Sequence, residues 1–174
     1  MKILAISGSG RAVSTNTAML HAVSKIAAPD HSITVFSDVA TLPVFSPDHE
    51  VGALPVKVQN FVDLVRDNDC VIISSPEYVR SIPGGLKNAI DWLVSREEII
   101  TKPMALMHAS HRGDDMLAQL RLVLATVSQQ FSPDVFLRFK LMDLSAKEIT
   151  DHLNERSNRS AIVEYLENIA EHFP

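Results

Sequence analysis

Short apolar runs alternate with stretches whose apolar residues recur every three or four positions, and this alternation repeats along the chain. Lys2–Ile6 is a β-rich run. The segment from about Ser14 to Ala27 has helical spacing through Met19, Leu20, Val23 and Ile26. Ser32–Phe36 alternates polar and apolar like an edge strand. A helix is expected over Val56–Asp67, and Cys70–Ser74 is continuously apolar, as in a central parallel strand. A helix through Leu86, Ile90, Trp92 and Leu93 follows, with Pro83 suited to its first turn and Ser81 to its cap. Pro103–His108, Asp114–Gln129 and Asp134–Phe139 then read as strand, helix and strand. The tail from Ala146 to Phe173 holds one or two helices. Strand and helix alternating in this way predict an α/β three-layer sandwich around a parallel sheet. Right-handed crossovers give the order 2-1-3-4-5, with the topological switch between strands 1 and 3.

Two polar segments fall at that switch. Ser7-Gly8-Ser9-Gly10-Arg11-Ala12-Val13-Ser14-Thr15-Asn16 leaves the first strand and opens a helix, and Pro76-Glu77-Tyr78 leaves the third. Hydroxyls, an amide, one arginine and free N–H groups at a helix start are what a phosphate needs. The long connection Asp38–Leu54 carries the apolar stretch Leu42-Pro43-Val44-Phe45. Loops of that length are usually functional or cover a surface.

Composition narrows the classes. The 174 residues suit one domain spanning the chain, and 46% hydrophobic with 21% charged residues is ordinary for a globular protein. A net charge of −5 argues against nucleic-acid binding. No run approaches the roughly 20 apolar residues of a membrane span, and the N-terminus reads as a strand rather than a signal peptide. The lone Cys70 fits a reducing cytoplasm and, inside an apolar strand, an inert thiol. His108 and His111 have no companion ligands in sequence, so no metal is assigned. Gly8-Ser9-Gly10 begins a dinucleotide fingerprint, with Asp38 as its ribose acid, but Val13 stands where the third glycine belongs. The Gly-Lys-Ser/Thr of a P-loop is absent.

On these residues the chain resembles the NADPH-dependent FMN reductase family, flavodoxin-like proteins that include quinone, azo-dye and chromate reductases. Gly8, Ser9, Arg11, Ser14 and Asn16 meet the signature Gly-Ser-x-Arg-x-x-Ser-x-Asn. Pro76, Glu77, Tyr78, Ser81, Pro83, Gly84, Leu86, Lys87, Asn88, Asp91 and Trp92 meet a second, longer one. Leu42–Phe45 with Asp48 is a weaker echo. The likeness covers roughly the first 125 residues.

The resemblance implies that Ser9, Arg11, Ser14, Thr15 and Asn16 hold the FMN phosphate. It implies that Pro76, Glu77, Tyr78, Val79 and Ser81 line the flavin ring, with Ser110 as a further candidate. It also implies NADPH or NADH as electron donor, a quinone-like or other small acceptor, and no catalytic acid or base from the protein. Homodimers or homotetramers are expected, with Leu42–Phe45 and Trp92 as candidate contacts, Trp92 being read either as core or as interface. Two features depart from the family. Val79 replaces the usual Asn and is followed by Arg80, read either as charge near the reduced ring or as a residue facing solvent or a second subunit. The loop Ala109–Asp115 lacks the usual glycine pair, and Asp114 and Asp115 would repel a cofactor phosphate if they face it. These departures motivate an alternative, a flavodoxin-like binding or regulatory module without turnover.

Overall fold

In the computed structural model, which describes residues 1–173, five strands form one parallel sheet in the order β2-β1-β3-β4-β5. They are β1 (Lys2–Ser7), β2 (Ser32–Phe36), β3 (Cys70–Ser74), β4 (Met104–His108) and β5 (Phe131–Arg138). The helices are α1 (Thr15–Ala27), α2 (Val56–Asp67), α3 (Gly84–Asp91), the single turn α4 (Glu97–Ile100), α5 (Asp114–Val127), α6 (Ala146–Leu153) and α7 (Arg156–His172). The predicted order and layering hold. No helix among the described residues is long and apolar enough to cross a membrane.

Alternate residues of each central strand feed opposite cores. Ile3, Ala5, Cys70 and Ile72 pack with α1, α6 and α7 on one face. Leu4, Ile6, Val71 and Ile73 pack with α2, α3 and α5 on the other. Burial on both faces is why β1, β3 and β4 read as continuous apolar runs, while β2, an edge strand, alternates.

Three boundaries differ from the sequence reading. β5 starts at Phe131 rather than Asp134, because the residues between Phe131 and Phe136 form an irregularity against Met104–Leu106. Pro133 lies inside it and has no N–H for the ladder, which an edge strand tolerates. α5 ends at Val127. Pro83 precedes α3 in an extended conformation (ψ 137°), so it is not in the first turn, and Ser81 does not cap the helix.

The long β2–α2 connection folds back on its own chain. Trp92 is fully buried; its Nε1–H donates to the Pro43 carbonyl at 2.8 Å, and Phe45 meets it edge-on at 5.2 Å. Asn88 clamps the same loop, its Nδ2 donating to Pro43 O and its Oδ1 accepting from Phe45 N–H. Of the two readings of Trp92, core or interface, the core one holds within this chain, and Leu42 and Phe45 pack beside it. An apolar loop segment needs a burial partner, and here that partner is α3 and Trp92. Val44 alone points outward, 81% exposed.

Candidate functional site

At the carboxyl edge of the sheet, the loops after β1, β3 and β4 enclose a cleft of about 400 Å³. Ser9, Arg11, Ser14, Thr15 and Asn16 line it from the first loop, Pro76, Glu77 and Tyr78 from the second, and Ser110 from the third. The register explains the meeting: Ile6 pairs with Ile73 and Ser7 with Ser74, so both chains leave the sheet side by side. Asn16 ties the two loops together, its buried Oδ1 accepting from the Ser74 hydroxyl at 2.8 Å. Gly8 sits so close beneath them that a Cβ there would lie 2.5 Å from Ser75 Oγ.

The first loop ends as an open helix terminus. Ser14 is the N-cap of α1 and its Oγ accepts from Thr17 N–H, while the first turn carries no acidic residue. The amides of Thr15 and Asn16 have no partner among the described residues. Unpaired N–H groups and the helix dipole together favour an anion. Arg11 is exposed beside them and forms no ion pair among the described residues.

The third-strand loop is built differently. Tyr78 and Ser81 exchange backbone hydrogen bonds of 3.1 and 3.0 Å, with Val79 (φ 53°) and Arg80 (φ 57°) between them. Two central residues at positive φ make this a two-residue hairpin of type I′. The family's usual Asn tolerates that left-handed backbone, whereas a β-branched Val there is strained, on the order of 1–2 kcal/mol. Contacts with α5 hold the strained tip. Arg80 Nε donates to Asp115 Oδ2 at 2.6 Å, Gln119 Nε2 donates to Arg80 O, and the Ser81 hydroxyl donates to Gln119 Oε1. Glu77 completes the clamp: its Oε2 accepts from Met116 N–H at 3.0 Å, capping α5 where Gly113 offers no side chain. Val79 is 98% exposed, and neither it nor Ser81 lines the cleft.

The acidic pair of the β4–α5 loop is neutralised inside the chain. Asp115 is paired with Arg80, whose hydrogen bond holds its carboxyl below the usual range, and Asp114 accepts from Arg138 Nη2 at 2.6 Å. Arg80 is therefore engaged on the surface and is not a charge over the cleft.

Sequence reasoning missed four lining residues: His108, Ala109, Arg112 and Met142. Position at the carboxyl end of β4 marked the first three, since that edge forms the crevice. Met142 follows β5 and carried no local signal. His108 is buried, and burial pushes its imidazole pKa down. Its Nε2 lies 2.6 Å from Arg112 O; a carbonyl only accepts, so Nε2 carries the hydrogen. A groove of about 570 Å³ between β5 and α7 presents Asp134, Glu164 and Glu171 without a lysine or arginine, and suits no anion.

The pattern that defines the NADPH-dependent FMN reductase family matches residues 1–140. A 2-hydroxy-1,4-benzoquinone reductase of a Burkholderia species is 39% identical over 92 residues, 53% of this chain and 49% of that protein. An NAD(P)H-dependent FMN reductase of Pseudomonas aeruginosa is 36% identical over 112 residues, 63% of this chain and 60% of its own length. The matched stretch thus spans half to three fifths of these relatives. Among solved structures, FerB, a flavoenzyme NAD(P)H:(acceptor) oxidoreductase from Paracoccus denitrificans, superposes with a TM-score of 0.75 at 22% identity, covering 98% of both chains, which establishes the shared fold. Pattern, fold and the cleft between β1 and β3 agree: the chain belongs to the NADPH-dependent FMN reductase family.

Proposed function

We propose that the cleft binds FMN and that the chain is an NAD(P)H-dependent oxidoreductase delivering electrons to quinone-like or other small acceptors. One observation carries this reading. The α1 terminus, with free amides, no acidic first-turn residue and an unpaired Arg11, opens into the same cleft as the Pro76–Tyr78 turn. These residues fit a phosphate-bearing planar cofactor. Ser9, Arg11, Ser14, Thr15 and Asn16 would hold the phosphate, through charge-assisted hydrogen bonds from Arg11 and N–H groups of the helix start. Pro76, Glu77, Tyr78 and Ser110 would flank the ring. FMN itself would supply the storage of two electrons between donor and acceptor. The protein's share is to bind, orient and hold charge, and no side chain is assigned as acid or base.

The family match and the quinone reductase and FMN reductase relatives support the activity. Action as a single cytoplasmic unit, and assembly as a homodimer or homotetramer, belong to the same proposal. Purified protein should take up added FMN, turn yellow and bleach with NADH or NADPH. Protein that stays colourless at tens of micromolar FMN would instead be a binding module without turnover. Sedimentation as a monomer at micromolar concentration would remove the assembly.

A further inference from the structure

Arg112 is the second guanidinium in the cleft, and its backbone is fixed from several sides. Its carbonyl accepts from His108 Nε2 at 2.6 Å and from Arg138 Nη2 at 3.3 Å, while its N–H donates to Ser110 Oγ at 3.0 Å. The next residue, Gly113, has φ 101°, and a Cβ there would stand 2.8 Å from His108 Nε2. A left-handed glycine with no room for a side chain is a built feature rather than a slack loop. The loop is thus anchored to a buried imidazole and to the Arg138–Asp114 pair, yet the Arg112 side chain takes part in no ion pair among the described residues. It lines the cleft and is exposed. Arg66, Arg80, Arg96 and Arg138 have carboxylate partners, whereas Arg121, Arg156 and Arg159, which do not line the cleft, have none among the described residues. The two arginines facing the cleft are left without one.

Their places in the sheet separate their roles. Arg11 leaves β1, where the helix amides gather, and Arg112 leaves β4, with β3 between. Neighbouring strands lie about 4.8 Å apart, so the two anchor points stand roughly 10 Å from each other. One phosphate at the α1 terminus does not need both.

We propose that Arg112 is a ring-end residue of the cofactor site: its guanidinium donates to the pyrimidine edge of the flavin and stabilises the negative charge that reduction places there, while Arg11 serves the phosphate. This rests on the FMN reading above. Arg112 presents a planar, permanently charged fork to the cleft.

Riboflavin, which has the ring without the phosphate, separates the two arginines. Fluorescence titration should show Arg112→Gln weakening FMN and riboflavin by the same factor, about tenfold or more, as for loss of a charged hydrogen bond. Arg11→Gln should weaken FMN alone, and Arg112→Lys should recover part of the loss. The FMN reduction potential, measured by dye equilibration, should fall in Arg112→Gln by about 30 mV if the reduced form loses a further tenfold, and should stay constant in Arg11→Gln. Unchanged riboflavin affinity and potential in Arg112→Gln, with an unaltered melting curve, would overturn the assignment, as would a loss confined to FMN. Wild-type protein that binds neither flavin would overturn the cofactor reading itself, a result distinguishable from failure of the Arg112 assignment alone.

Discussion

α1 and α5 both begin at the carboxyl edge of the sheet beside the same cleft, and their N-termini are finished in opposite ways. α1 starts with Ser14 and no acidic residue in its first turn, with Arg11 free beside unpartnered amides. α5 starts with Asp114 and Asp115, and a third carboxylate, Glu77, reaches across from the β3 loop to cap Met116 N–H. The positive end of a helix dipole attracts negative charge in either case. At α5 the chain supplies that charge itself, so the terminus is internally satisfied and works as an anchor for the Tyr78–Ser81 hairpin. At α1 no acidic residue of the first turn supplies it. A helix start is therefore a binding site only where the chain has not already filled it.

Cys70 reports whether variants at these termini disturb the sheet between them. Burial pushes its thiol up to about 12 from an ordinary 9.0. With three pKa steps between them, alkylation near pH 8 should run about a thousandfold slower than for a free thiol. Because the folded value is the higher one, the associated stability is intact below pH 9.0 and is lost as pH rises toward 12. A variant that reacts quickly has lost the sheet rather than one loop. Fast alkylation of the wild type would contradict the burial itself.

Next in size, Arg11→Ala should cost about 1.5–3 kcal/mol of FMN binding, with the cofactor-free protein within about 0.5 kcal/mol of wild type in stability. An unchanged dissociation constant would erase the distinction between the termini. Glu77→Ala should act in reverse, destabilising the fold by about 1–2 kcal/mol in denaturant titrations, as loss of a cap does. A larger effect on FMN than on stability would make its place beside the ring outweigh its role as anchor.

Val79→Asn should stabilise the protein by on the order of 1 kcal/mol, by relieving a β-branched residue from a left-handed backbone. A lower melting temperature would speak against strain at the tip. Arg80→Ala should have the smallest effect, a shift in melting temperature close to the scatter of repeat measurements, since its pair with Asp115 is exposed. High salt should mimic it.

Much of this was legible from residue order. The strand–helix alternation, the switch between β1 and β3, and the first polar loop all depend on neighbours within a few positions, where period and capping chemistry operate. Local reasoning left Trp92 open between core and interface and did not pair it with Leu42–Phe45, because their contact joins residues some 49 positions apart. It also missed the Val79–Arg80 turn, because the usual Asn-Gly signal is absent and remote contacts with Gln119 and Asp115 hold the strain instead.

The amino-acid order alone settled which loops meet at the switch, since parallel crossovers leave few ways to arrange five strands. Only the folded chain decided which charges remain available there. Asp114 and Asp115 follow Arg112 closely, with only Gly113 between, yet they pair with Arg138 and Arg80, 24 and 35 positions away, and leave Arg112 facing the cleft. Charge neutralisation depends on distance in space, which residue order does not record.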